Sequence, residues 1–344
     1  PWYKSVPGYF LYIRRVHMSA NPTTIDEQIN ILKRRGLDVG SNPGKYLIQY
    51  GYYNLINGYK DLFIDSELTR QAKEDRYKHG TSLNHLIALY EYDARLRHQL
   101  MAITINIETQ LKSLISLHFS LSYGYGYGCG YDLPSNFTPA PKQKKHVTSL
   151  IDKLQDDVED AYYYKRTPTI CHYMNNYQKI PLWVLNTIIS FGEMSKFYNN
   201  LKANMRRNIA ADINPNLKSD DLSSALRYLT TIRNKSAHNN RLFSHKKDQQ
   251  ASRVSTIPEF QVHKDIGIAY RNNRYLYGQD DILAAFIVSS VISKQTEIFH
   301  IQYQNIDNDL NKLSKQIPNE TVMQIREITG LKSEYLSKLT RYEF

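Results

Sequence analysis

The chain has 344 residues, 41% of them hydrophobic, with 28 tyrosines, two cysteines and a formal net charge of +11. That length and apolar content suffice for two domains or one large helical body, and the charge favours polyanionic partners. Cys129 and Cys171 form no CxxC pair, which excludes a Cys-based zinc site within the chain and argues against a secreted disulfide scaffold, and no run of about 18 apolar residues is present to cross a membrane.

Residues Pro1 to Arg15 lack a clean apolar segment with a cleavage site, so a cytoplasmic protein is expected. A helix opens after Asn21-Pro22, with Thr23 or Thr24 as cap and acids in its first turn. Ile25, Ile29, Leu32 and Leu37 supply its apolar stripe, and Gly36 ends it. Lys33, Arg34 and Arg35 fit the last turn, where they compensate the dipole or meet phosphates. The run Lys45 to Tyr59 predicts a second helix, and residues 60–82 a connection or short hairpin.

Leu83 to Leu121 is the longest periodic segment, with apolar residues recurring at helical spacing from Leu86 through Leu114. At about 1.5 Å per residue, such a helix exceeds ~50 Å. Asp93, Arg95, Arg97 and Glu108 lie on it, as salt links or as the border of a site. Glu108, among apolar neighbours, predicts a partnered polar group. The Gly/Tyr repeat from Ser122 to Tyr131 ends the helix and opens a loop-like stretch to Pro141. This is a mobile loop or an aromatic lip for RNA, since tyrosines can stack on bases. Lys144, Lys145 and His146 then precede a helix over about residues 147–163.

Pro181 opens a predicted helix running to Leu201, with Gly192 as a kink or a point of close packing. Residues 217–236 predict a helix capped by Ser219 or Asp220. Residues 251–280 read as irregular, 281–302 as a strongly apolar helix, and 320–342 as one or two short amphipathic helices. No GxxxxGK[ST], GxGxxG or HExxH is present, leaving nucleotide hydrolysis and zinc proteolysis without motif support.

The helix over 217–236 delivers Arg233-Asn234-Lys235-Ser236-Ala237-His238, followed by a basic run to Lys247. This pairing of a permanent cation with a group that titrates near neutrality suits metal-free cleavage of RNA. The histidine can move a proton to or from the 2′- and 5′-oxygens. The guanidinium matches the phosphate oxygens on which charge accumulates. One histidine is half of an acid–base pair, so a second is expected from another copy of the chain. Five residues of ideal helix leave Arg233 and His238 roughly 140° apart. Either the helix therefore ends near Ser236, or the side chains meet around a bend or a dimer seam. An Arg and a His at this spacing also arise by chance in basic proteins.

Several ordered blocks add to the motif: Thr24 to Leu37, Tyr50 to Tyr59, Tyr92 to His98, Ile105 to Ser113, Pro181 to Val184, Ser190 to Tyr198, and Arg233 to Phe243. Together they resemble the abortive-infection Abi-like proteins of the AbiF/AbiD type, within the HEPN (higher eukaryotes and prokaryotes nucleotide-binding) superfamily. The resemblance spans roughly residues 21–245. It implies an all-α helical bundle of HEPN type with added N- and C-terminal helices. The expected parts are residues 1–82, a core over 83–245 with the Gly/Tyr-rich loop at 122–141, and residues 246–344.

The resemblance also implies antiphage defence by a toxic, metal-independent endoribonuclease that forms a homodimer, needs no cofactor and is bound by a regulatory non-coding RNA. Arg233, Asn234 and His238 match its catalytic motif, with Asn234 positioning the histidine or the phosphate. Lys33, Arg34, Arg35, Lys144, Lys145, Lys235, Arg241, Lys246 and Lys247 are the candidate RNA contacts. Two alternatives are a non-catalytic protein that holds a structured non-coding RNA and a helical protein-interaction scaffold.

Overall fold

A computed structural model describes residues 22–124, 130–246, 256–293 and 296–339. The fold is all-α: among the described residues, the only strands form a two-stranded hairpin. The chain divides between residues 90 and 91 into two compact units.

In the first unit, α1 (Ile25–Arg34) begins at a capping box. Thr24 Oγ accepts the Glu27 N–H while the Glu27 carboxylate accepts the Thr24 N–H, satisfying two otherwise orphaned donors. Gly36, at φ +88°, ends the helix, as its position in the sequence predicts. The predicted single helix from Lys45 to Tyr59 is broken. α2 (Pro43–Tyr50) stops at Gly51, which takes φ +76°, and a π-helical turn, Tyr53–Asn57, follows. Residues 60–82 pair Ile64 with Tyr77 in an antiparallel bridge, as in the short hairpin expected, but their interior is helical rather than a plain turn. They hold a 3₁₀ turn and α3 (Ser66–Ala72), whose N-cap Asp65 accepts the Glu67 and Leu68 N–H groups.

The unit boundary falls within α4 (Leu83–Tyr123), the long helix that the periodicity predicts over Leu83–Leu121, which runs two residues further, into the Gly/Tyr segment. In the second unit its buried ridge runs Leu96, Leu100, Ile103, Ile107, Leu111, Ile115 and Phe119. Of the Gly/Tyr segment, residues 125–129 lie outside the described residues. The helix expected over 147–163 starts earlier, as α5 (Lys144–Tyr163), and α6 (Pro168–Tyr177) follows it.

The helix expected from Pro181 to Leu201 is two helices. α7 (Leu182–Leu185) is a single turn, and α8 (Phe191–Asn200) begins at a second capping box, Ser190 with Glu193. That box satisfies donors at a new start, so the chain turns where apolar periodicity alone reads through. Gly192 sits in the first turn of α8 rather than at a kink within a longer helix, packed near Thr230, where a Cβ would lie 3.4 Å from Thr230 Cγ2 in ordinary contact. α9 (Ala203–Ile213) comes next.

α10 (Ser219–Ala237) has Lys218 as its cap, without a side-chain hydrogen bond, so Ser219 and Asp220 lie inside the first turn rather than at the cap. It is the central helix of this unit, packing on α8, α9 and α12 (Ile282–Ile292), whose eleven residues are all buried. Residues 256–280 are not wholly irregular: they contain α11 (Gln261–Asp265) and the hairpin of Tyr270–Arg271 with Arg274–Tyr275. The apolar run predicted over 281–302 is split, with α12 ending at Ser293 and α13 (Thr296–Leu313) following. α14 (Asn319–Thr329) and α15 (Ser333–Leu339) are the expected short tail helices. No helix among the described residues is long and apolar enough to cross a membrane.

Candidate functional site

The last turn of α10 rises from a fixed base. Tyr228, Leu229 and Ile232 are fully buried. The Tyr228 hydroxyl donates to the Asp281 carbonyl, which ties α10 to the start of α12. From this base, Arg233 reaches toward α4, where its Nε lies 3.9 Å from the Glu108 carboxylate. Glu108 is only 12% exposed and also pairs with Lys112 Nζ at 2.7 Å. Lys112 in turn donates to the Asn186 and Ile189 carbonyls at 3.0 and 2.6 Å. Glu108 is thus the partnered polar group that its apolar surroundings predict. Arg233 is aimed by this relay, but its buried Nε makes no hydrogen bond among the described residues. The Nε donor is shut in beside Glu108, so of the guanidinium's five donors only those on the half-exposed terminal nitrogens can meet another acceptor.

His238 is the C-cap, one turn beyond Arg233, and its side chain is exposed. The helix end is a Schellman motif: Asn239 takes φ +55°, and Asn240 donates its N–H to the Lys235 carbonyl at 3.0 Å. The helix thus ends near Ser236, and no bend folds His238 back onto Arg233. Asn234 is exposed, and its carbonyl accepts the His238 N–H. Ring and guanidinium leave α10 in different directions, as helical geometry requires.

After the Schellman turn the chain dives back into the core. Leu242, Phe243, Ser244 and His245 are buried. The Asp93 carboxylate, on α4, accepts the N–H of Leu242 at 3.1 Å and of Phe243 at 2.7 Å. Asp93 also pairs with Arg97, one helical turn on, and both are almost wholly inaccessible. The loop bearing His238 is therefore pinned on one side by α10 and on the other by a buried carboxylate. Sequence reasoning singles out Asp93 as charged and leaves its partner open. An aspartate on an apolar helix face is the one available signal, because its contact lies 150 residues away in the chain.

The basic candidates divide by what already engages them. In the first unit, Arg34 pairs with Glu74 at 3.3 Å and Arg35 with Asp75 at 3.3 Å, while Lys33 is exposed. In the second, Lys144 and Lys145 are exposed at the start of α5, and Lys235 is half-buried near the end of α10. The Arg241 guanidinium lies 5.9 Å from the centre of the Phe243 ring. Lys246 pairs with Asp280 at 2.9 Å. Burial raises that carboxyl, but the Lys246 and Arg274 hydrogen bonds outweigh it and hold the group below its usual range. Lys247 lies outside the described residues.

Among the described residues, no group of three or more His, Cys, Asp or Glu side chains is placed to hold a metal ion. In sequence comparison, the family model described as Abi-like protein matches residues 45–244. No curated protein and no solved structure matches the chain.

Proposed function

Since the chain belongs to the Abi-like protein family, which points to a role in abortive infection, we propose that it is a cytoplasmic endoribonuclease of the HEPN superfamily and AbiF/AbiD type. The reading rests on one observation. His238 stands exposed at the braced end of α10, one turn beyond a half-exposed arginine held only by a 3.9 Å approach to Glu108.

In the reaction, the 2′-oxygen attacks the adjacent phosphorus and its proton passes to a base. The P–O5′ bond breaks, and the leaving oxygen takes a proton from an acid. The products are a 2′,3′-cyclic phosphate and a 5′-hydroxyl. His238 performs one of the two transfers, and a second copy of the chain supplies the other His238, so the active form is a homodimer. Arg233 binds the non-bridging oxygens as charge gathers on them. Asn234 positions the phosphate or the ring. A non-coding RNA bound to the basic surface restrains the enzyme until infection releases it.

The test is cleavage of cellular RNA in excess EDTA, followed by analysis of the ends. Undiminished cleavage leaving cyclic phosphates is expected; activity abolished by EDTA and restored by a divalent cation refutes the mechanism. A second reading is supported by the separation of Arg233 from His238 within one chain: a protein that holds a structured RNA without cutting it. It predicts tight RNA binding and no cleavage by any form of the protein.

A further inference from the structure

A cleft of about 760 Å³ lies between α5, α8 and the first half of α10, on the second unit. Its volume falls within the range of small-ligand sites, yet its lining is polar and charged. The two acids in its wall are already engaged: Glu193 accepts the Ser190 N–H at 2.7 Å and lies 3.9 Å from Lys153, and Asp220 pairs with Arg206 at 2.6 Å. Lys196 and Arg227 also line it, are exposed, and form no ion pair with the described residues; exposed His146 stands in the same wall. The uncompensated charge of the cleft is therefore positive.

One stripe of α10 runs from the wall of the cleft toward the candidate site. Ser224, Arg227, Thr231, Asn234 and His238 follow at alternating spacings of three and four residues, which places them on one helix face. None is buried, while the intervening Leu226, Tyr228, Leu229 and Ile232 are. Eleven residues of helix separate Arg227 from His238 by about 16 Å, a span of a few nucleotides.

We propose that this cleft binds the phosphates of a single RNA strand, with Lys196 and Arg227 as the contacts, and leads that strand along α10 to His238. The proposal rests on RNA being the partner of the site at His238; it does not require that the strand be cut. Asn199 and Ser224 supply neutral hydrogen-bonding groups for the riboses, and the exposed Lys144 and Lys145 extend the positive surface at the start of α5.

The experiment measures binding of a fluorescent 12-nucleotide oligouridine across a salt series, in the His238→Ala background so that the strand stays intact. Adding Lys196→Ala with Arg227→Ala is expected to weaken binding roughly tenfold at low salt. It should also reduce the slope of log K against log salt by about 1.4, at about 0.7 for each phosphate that is no longer neutralised. Arg227→Lys, which keeps the charge, should retain most of the affinity. Lys45→Ala with Lys315→Ala removes the same charge from exposed positions elsewhere and should leave the slope nearly unchanged. Equal losses in the two double variants, or no binding by the His238→Ala protein itself, overturn the proposal. Wild-type protein that binds the strand through the cleft but never cleaves RNA sinks the ribonuclease reading alone. Cleavage that depends on His238, with a salt slope indifferent to Lys196 and Arg227, sinks the cleft alone.

Discussion

Phe243 donates its backbone N–H to the Asp93 carboxylate at 2.7 Å, joining the loop that follows His238 to the long helix α4. The same carboxylate takes the Leu242 N–H and the Arg97 guanidinium. Removing it takes the acceptor from two buried amides and the carboxylate partner from a buried cation. Asp93→Ala should therefore destabilise the protein by roughly 3–5 kcal/mol, the cost of breaking a buried pair from one side. Asp93→Ala with Arg97→Met should recover part of that loss, since the stranded charge is gone. Urea unfolding of the four proteins of this cycle gives the values; a single-variant loss below about 1 kcal/mol contradicts the anchoring role.

Asn239 holds a left-handed conformation at φ +55° so that the Schellman turn can close and present His238. Asn tolerates this conformation and a β-branched residue does not. Asn239→Gly should leave the stability within about 0.5 kcal/mol, whereas Asn239→Val should cost about 1–2 kcal/mol. Thermal unfolding distinguishes them. Equal midpoints for Gly and Val are incompatible with the turn described.

Arg233 is half-exposed and only loosely paired to Glu108, so its loss should affect the reaction more than the fold. Arg233→Ala is expected to lower single-turnover cleavage by about 10²–10³-fold, in line with loss of one donor to a developing charge. Arg233→Lys should restore little, because an ammonium cannot match two phosphate oxygens with a planar fork. Full activity in Arg233→Lys is the contrary result.

Asp281 caps α12 from a fully buried position, accepting the Gly278 N–H at 3.0 Å. Burial raises its carboxyl to about 7. Between pH 4 and 7 the native state then keeps a proton that the unfolded chain releases. Stability from this group is greatest at low pH, falls as pH rises through that window, and levels off above it. At about 1.4 kcal/mol per pKa unit the total is a few kcal/mol at most. Asp281→Asn, neutral throughout, should lack this decline. Chemical denaturation from pH 4 to 8 should show the wild type losing ground to the variant as pH rises. His263, pushed down by its own burial, contributes in the opposite sense in both proteins. A constant difference across the series refutes the assignment.

What the sequence made legible follows interaction range. The cap at Thr24, the stop at Gly36 and the full run of α4 depend on neighbours within a few residues, and all could be read directly. The division of the Pro181–Leu201 run at Ser190 was written locally too, as Ser190 and Glu193, but apolar spacing on both sides concealed the box. The pair of Asp93 with Arg97, one turn on, was legible as a salt link, but its grip on the Leu242 and Phe243 amides was beyond reach because nothing near residue 93 refers to residue 243. Lys196 and Arg227 were equally hidden: each is an ordinary exposed cation until α8 and α10 are set side by side. Arg233 and His238 were visible as a motif. Their divergent directions and the Glu108–Lys112 pair followed from helical geometry, while the meeting of that pair with Arg233 did not.

The most direct test of the ribonuclease account starts from protein purified with its RNA retained. The bound RNA is sequenced and stripped, and cleavage of total RNA is then compared for wild type and His238→Ala at equal RNA-binding affinity. The account predicts one discrete bound RNA, rapid cleavage by the stripped wild type, and none above background by His238→Ala. Discrete bound RNA with no cleavage by either protein would contradict it and leave a binding protein in its place.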